Sequence, residues 1–219
     1  MNPNKYIREK YDGKIIHADG VNYIEGMVRD NLYEIFNELG YKVGAEIGVR
    51  MGNNAVSMFQ RVQDLKLCLI DSWCNYGEYF TQNDDHDLLY CFAAARRRLE
   101  DYNGVFIRKF SADAVKEIED NSLDFVYIDA NHSYDYCMMD IIMWTQKVRK
   151  GGIVSGHDYR VDRGVPGRDR KNCGVDDAVT DYTNYHRISD VYVTTPPPPD
   201  QEGRPSDTQL SWFFVRGEE

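Results

Sequence analysis

The chain has 219 residues, 42% hydrophobic and 28% charged, the make-up of an ordinary globular fold and not of a fibrous or low-complexity protein. Its 26 Lys and Arg stand against 36 Asp and Glu for a net charge of −10, with no long basic run, which argues against sequence-independent nucleic-acid binding. No apolar stretch approaches the roughly 20 residues that span a bilayer, and the opening MNPNKYIREKYDGK has no apolar signal core, so a cytoplasmic protein without a membrane partner is expected. Cys68, Cys74, Cys91, Cys137 and Cys173 are odd in number and show no C-x-x-C spacing, so they read as buried free thiols.

In chain order, Val21, Ile24, Val28, Leu32, Ile35, Phe36 and Leu39 recur at helical spacing and Gly40 stands where a helix-ending glycine belongs, which predicts an amphipathic helix from Val21 to Leu39. Five short apolar runs follow, YKVGAEIGV, LKLCLID, GVFIRKF, LDFVYID and GGIVSGHD, each ending in a polar or glycine-rich turn. They read as strands buried on both faces. Helical patterns separate them at about residues 53–62, 84–102, 111–119 and 134–149. A further helix near Val175–Tyr185 leads to ISDVYVTT, and LSWFFVR makes a final strand after the proline-rich loop PPPPDQEGRPSDTQ. The alternation predicts an α/β fold, a parallel sheet with helices on both faces, in one domain: an N-terminal segment 1–40, a core 41–158 and a tail 159–219.

In such a sheet, ligands lie beyond the carboxyl ends of the strands. The first core strand ends in GAEIGVRMGNNAV, with Glu46 at its tip, Gly48, Arg50 and Gly52 in the turn, and Asn53 and Asn54 opening the next helix. The phosphate-binding fingerprint G-x-G-x-x-G is absent because Arg50 takes the middle glycine position. Glu46 would serve an ammonium or sulfonium better than a pyrophosphate. Asp71, 25 residues on, ends the second strand ahead of Ser72 and Trp73, near the spacing at which a carboxylate reaches ribose hydroxyls. Trp73 either covers an adenosine or belongs to the core. Asp129 ends the fourth strand and His157–Asp158 the fifth, so all three share one crevice if those strands are neighbours. Two carboxylates and an imidazole make a divalent-metal set, a metal-free acid–base pair, or a structural pair.

The string EIGVRMGNN resembles motif I of the class I S-adenosylmethionine-dependent methyltransferases, in the E-[IL]-G-x-x-x-G-x-S form of catechol O-methyltransferase and its relatives, with Asn54 in place of the serine. SLDFVYIDANHSYDY and VRKGGIVSGHDY resemble a bacterial and viral branch with the pattern IDxxHSY then GGxxxxHDY, near the macrocin-type sugar O-methyltransferases. The resemblance implies a Rossmann-like, seven-stranded, mostly parallel sheet whose last strand, LSWFFVR, inserts antiparallel. It implies S-adenosylmethionine as cofactor, held by the Glu46 turn and Asp71, with Asp129 beside it and Ser111 and Ala112 near the adenine. In the resembling metal-dependent methyltransferases the corresponding positions are Asp, Asp and Asp or Asn and bind magnesium. A divalent metal, Mg or Mn, is therefore expected on Asp129, His157 and Asp158, where His157 departs from the all-oxygen pattern and its imidazole favours the softer ion.

His132 falls where catechol O-methyltransferase carries its general-base lysine, so it is expected to take the acceptor's proton, unless it only caps the helix from Tyr134. His157 is the alternative base. The expected partner is a small-molecule or sugar acceptor, and a homo-oligomer stays open. Tyr134, Tyr136 and Tyr159 flank the crevice. RVDRGVPGRDRKNCGV reads either as a lid presenting Arg160, Arg163, Arg168 or Arg170 to an anionic acceptor or as solvated loop.

Overall fold

The computed structural model of the chain describes residues 1–75, 85–159, 173–195 and 210–217; the expected lid arginines Arg160, Arg163, Arg168 and Arg170 lie outside them. The core alternates as expected: β3 (Val43–Ile47), α3 (Asn53–Arg61), β4 (Lys66–Ile70), α4 (Asp85–Arg98), β5 (Gly104–Ile107), α5 (Ser111–Ala114), β6 (Leu123–Ile128), α6 (Tyr134–Thr145) and β7 (Val148–Tyr159). α7 (Val175–Tyr185), β8 (Val191–Thr195) and β9 (Leu210–Val215) complete it. Before it come α1 (Pro3–Lys10), β1 (Ile15–Ala18), β2 (Val21–Glu25) and α2 (Arg29–Glu38).

The described strands form one sheet of order β1-β2-β8-β9-β7-β6-β3-β4-β5, in which β9 runs antiparallel between β7 and β8. This is the Rossmann-like arrangement, with nine strands where seven are expected. The two extra strands come from the N-terminal segment: β2 adds parallel to β8 and β1 folds back antiparallel on β2. They cover the β8 edge, whose backbone groups would otherwise be an open template for pairing. The single helix expected from Val21 to Leu39 is therefore two elements, divided at Gly26, whose φ of 73° suits a glycine and ends the strand. Ladder pairing of Asn22–Glu25 with Tyr192–Thr195 prevails over the helical spacing of Val21 and Ile24.

Strand residues alternate between two cores, one on each face of the sheet. Leu67, Leu69, Phe125, Tyr127, Ile153 and Phe213 face α2, α3 and α4, whereas Ala45, Ile47, Cys68, Ile70, Val126, Val154, Trp212 and Phe214 face α6 and α7. Cys68, Cys91, Cys137 and Cys173 are buried free thiols and Cys74 is half-buried. Among the described residues no helix is long and apolar enough to cross a membrane.

α2 is held to the sheet by aromatic packing. Phe36 stacks on Phe125 with ring centroids 4.2 Å apart, and Tyr33 meets Tyr127 edge-on at 5.8 Å. The Phe125 ring fills the space above Gly44, where a Cβ would overlap it. Gly44→Ala is therefore expected to cost about 1–3 kcal/mol by overpacking, read as a lowered midpoint in urea. Phe125→Leu in the same chain should recover part of the loss, and a Gly44→Ala protein as stable as wild type would show that the ring moves freely.

Candidate active site

β3, β4 and β6 end level with one another: Ile47 pairs with both Ile70 and Ile128. The last ladder bonds run from Gly48 N–H to the Ile70 carbonyl and from Asp129 N–H to the Ile47 carbonyl, each 2.8 Å. The chain then leaves β3 for α3 on one face and β6 for α6 on the other. A crevice opens between them, as expected where strand order reverses. Gly48, at φ 93°, lies so close to Asp129 that a Cβ would overlap the Asp129 carbonyl. Only glycine lets the two strand ends pass here.

The crevice is a cleft of about 930 Å³, within the usual range for a small-ligand site. Its walls include Glu46, Gly48, Arg50, Asn53 and Asn54 from the first turn, Asp71 and Ser72 after β4, Ser111 and Ala112 of α5, and Asp129 and His132 after β6. Arg29 of α2 and Tyr136, Met139 and Asp140 of α6 also line it. Tyr136 is expected at the crevice from the sequence, whereas Arg29, Met139 and Asp140 are not, because nothing in their local pattern says that α2 and α6 bend over the same strand ends.

Glu46 is almost wholly buried, and burial pushes its carboxyl from 4.5 up to about 8, with Asp129 and Asp71 adding to the effect against the hydrogen bond from Asn54. Asn54 Nδ2 donates to Glu46 Oε1 at 2.9 Å, and Tyr33 Oη–H donates to Asn54 Oδ1. The Asn54 side chain is thus occupied in orienting Glu46, whose Oε2 takes no hydrogen bond among the described residues.

Asp71 is raised above the ordinary carboxylate value by burial, opposed by backbone N–H donors. Arg50 N–H donates to its Oδ2 and Trp73 N–H to its Oδ1, both at 2.8 Å. The Val49 and Ser72 N–H groups add to these, so backbone donors hold the carboxylate in place at the cleft wall. Trp73 belongs to the core: it is 1% exposed, lies 4.7 Å from the Phe92 ring, and its indole N–H donates to the Arg50 carbonyl. It braces the turn from behind instead of covering the cleft. Gly52, with φ 77°, begins α3 behind the lining, against Leu99.

At the other end His132, not His157, stands between the carboxylates. Its Nε2 lies 3.4 Å from Asp129 Oδ1 and 3.1 Å from Asp158 Oδ2, and one ligand atom from each of the three falls within 4.8 Å of the others. The metal set read from the sequence as Asp129, His157 and Asp158 is rearranged accordingly. Asp158 adopts a left-handed backbone here, φ 60°, and its carboxylate meets His132. His157 stands beside it, with Nδ1 3.3 Å from Asp158 Oδ2, and is not part of the cleft lining.

Burial works against a charged His132, but the hydrogen bond to Asp129 and the charges of Asp158 and Asp129 prevail and raise its pKa. Asn131 shapes the loop, its Oδ1 accepting from Ser133 N–H at 2.9 Å. Of the flanking tyrosines, Tyr136 faces the cleft, Tyr134 donates to Asp181 at 2.9 Å, and Tyr159 is core.

Residues 45–159 match the family described as Methyltransferase domain. The chain belongs to this methyltransferase family. It is an S-adenosylmethionine-dependent methyltransferase, and the matched span runs from the strand carrying Glu46 to the strand carrying His157 and Asp158. The uncharacterized protein R132 of Acanthamoeba polyphaga mimivirus is 26% identical over 168 residues, covering 74% of this chain and 68% of that one. Among solved structures, an O-methyltransferase from Bacillus cereus in complex with SAH aligns with TM-score 0.57 at 13% identity, over 98% of this methyltransferase and 91% of its own chain. The N-methyltransferase NodS from Bradyrhizobium japonicum WM9 aligns with TM-score 0.54 at 13% identity, over 87% and 95%. An rRNA methylase from Streptococcus thermophilus gives 0.55 at 12% identity, over 88% and 98%. Proteins named for different acceptors share this fold, so the fold alone does not choose one.

Glu46 sets a pH dependence of stability. With its folded pKa raised from 4.5 to about 8, the folded methyltransferase holds a proton that the unfolded chain has lost, so the Glu46 contribution declines as pH rises across that window. Glu46→Gln cannot ionise. In the ligand-free protein the melting temperature of wild type should therefore fall relative to that of Glu46→Gln between about pH 5 and pH 8. A difference that does not change with pH would mean that Glu46 is already ionised in the folded state.

Proposed function

We propose that this methyltransferase transfers a methyl group to a hydroxyl of a small molecule or sugar, assisted by a divalent cation on Asp129, His132 and Asp158. The observation that carries the reading is the continuity of one cleft from Glu46 and Asp71 to Asp129 and His132. S-adenosylmethionine would supply a methyl carbon made electrophilic by its sulfonium. The buried Glu46 Oε2 fits the ammonium of its amino-acid end, and the Asp71 carboxylate in the cleft wall fits its ribose hydroxyls. Holding the acceptor oxygen in line with that carbon, away from water, is the main service of the cleft.

The donor set fits a cation. Neighbouring ligands of an octahedral ion with bonds of about 2.1 Å lie about 3 Å apart, close to the 3.1 and 3.4 Å separations around His132 Nε2. A cation so held would make the acceptor hydroxyl more acidic. Asp129 and Asp158 draw positive charge to this spot, as the raised His132 pKa also reports. The same contacts support a second reading, in which His132 itself takes the hydroxyl proton and the two carboxylates stabilise the imidazolium. In both, the acceptor oxygen forms its bond to the methyl carbon as the carbon–sulfur bond breaks, leaving S-adenosylhomocysteine.

S-adenosylhomocysteine at 100 times its Kd should stabilise the fold by about 2.7 kcal/mol, seen as a raised melting temperature. Absence of any shift would remove the cofactor reading.

Against a hydroxylated acceptor, excess chelator should abolish turnover and leave S-adenosylhomocysteine binding intact, with Mn²⁺ restoring activity at least as well as Mg²⁺ because one ligand is an imidazole. Full turnover in chelator would transfer the work to the second reading, under which His132→Ala lowers kcat by ~10²–10⁴ with little change in cofactor affinity.

A further inference from the structure

α6 places a carboxylate in the cleft wall that the proposed chemistry does not use. Asp140 is 3% exposed, yet it lines the cleft beside Ser111, Ala112 and Met139. Trp144 Nε1–H donates to Ser111 Oγ at 2.7 Å, and Ser111 Oγ–H donates to Asp140 Oδ1. The relay runs in one direction: the indole can only donate, so the serine receives its hydrogen and passes its own to the carboxylate. Ser111, expected to meet the adenine, has thus committed its hydroxyl hydrogen. Among the described residues the side-chain hydrogen bond to Asp140 falls on Oδ1.

The position along the sheet says what lies there. With the amino-acid end of the cofactor at Glu46 beyond β3 and the ribose at Asp71 beyond β4, the nucleobase extends toward the residues that follow β5. Those are Phe110, Ser111 and Ala112, and Asp140 closes over them from α6. A carboxylate in the cleft wall with one oxygen fixed by Ser111 keeps its second oxygen as an acceptor for a hydrogen-bond donor on the base edge. Adenine presents such a donor, its exocyclic amino group; hypoxanthine presents a carbonyl oxygen in the same place.

We infer that Asp140, held in orientation by Ser111 and Trp144, accepts a hydrogen bond from the adenine amino group and determines base specificity. The inference rests on the S-adenosylmethionine reading of the cleft. Burial also pushes the Asp140 carboxyl up to about 6, with the Ser111 hydrogen bond opposing, which is the cost of keeping this group where an apolar residue would pack.

The test compares binding of S-adenosylhomocysteine and its inosine counterpart by titration calorimetry. Wild type should prefer the adenosyl compound by ~10–100-fold, the scale for a hydrogen bond to a charged group. In Asp140→Asn, the Ser111 hydroxyl keeps the amide oxygen on its side and turns Nδ2–H₂ toward the base. That donor suits the hypoxanthine carbonyl and not the adenine amino group, so the preference should fall about tenfold or reverse. A residue needed only for packing would weaken both compounds equally, and an unchanged ratio in a folded Asp140→Asn protein overturns the inference. If that variant does not fold, wild type decides: equal affinity for the two compounds overturns the inference, and the stated preference upholds it. Failure of wild type to bind either compound would instead remove the cofactor reading on which the inference stands.

Discussion

Everything in the cleft depends on β3 being hydrogen-bonded on both sides, to β4 and to β6, with all three strands ending at the same level. Strands that end level but send their chains to opposite faces of the sheet cannot close over their own ends. The gap is an obligatory feature of this topology. What tunes it is the approach of Gly48 to the Asp129 backbone. That contact sets the distance between the Glu46 end and the Asp129 end of the site, so a side chain at position 48 would disturb both.

The gap gathers buried acid. Glu46, Asp140 and Asp158 are buried, and Asp71 and Asp129 stand partly exposed around the same strand ends. Burial raises the carboxyl pKa at Glu46, Asp71 and Asp140, with Asp129 and Asp71 adding to it at Glu46, and so favours protons or cations in this space. A sulfonium and an ammonium at one end and a metal ion or imidazolium at the other are ligands of matching sign. A dinucleotide pyrophosphate is not, in keeping with the missing G-x-G-x-x-G pattern.

Backbone strain collects in the same region. Arg50, Trp73 and Asp158 all have left-handed φ values, 50°, 44° and 60°, a conformation that non-glycine residues hold only where neighbours over-determine it. For the first two the restraint is visible: Asp71 accepts the N–H of both, and the Trp73 indole returns a hydrogen bond to the Arg50 carbonyl. Asp71 is therefore a structural keystone of the turn as well as a candidate ligand. Its replacement should be judged by stability alongside binding.

The amino-acid sequence by itself determined the alternation of core strands and helices, the antiparallel insertion of LSWFFVR, and the acidic residues at the strand tips. The first and last of these are written in local signals, apolar period, turn chemistry and motif spacing, and the antiparallel insertion is what the family resemblance of the motifs implies. It misread Val21–Glu25, because Val21 and Ile24 suit a helix spacing and a strand equally well, and only the open edge of β8 decides between them. Tertiary structure alone decided that His132 and not His157 joins Asp129 and Asp158, that Trp73 packs inward, and that Ser111 spends its hydroxyl on Asp140. Spacing along a strand places a residue at the site, but the direction of its side chain follows from backbone twist and from partners distant in the chain. The separation of 29 positions between Ser111 and Asp140 hides their contact from any local pattern.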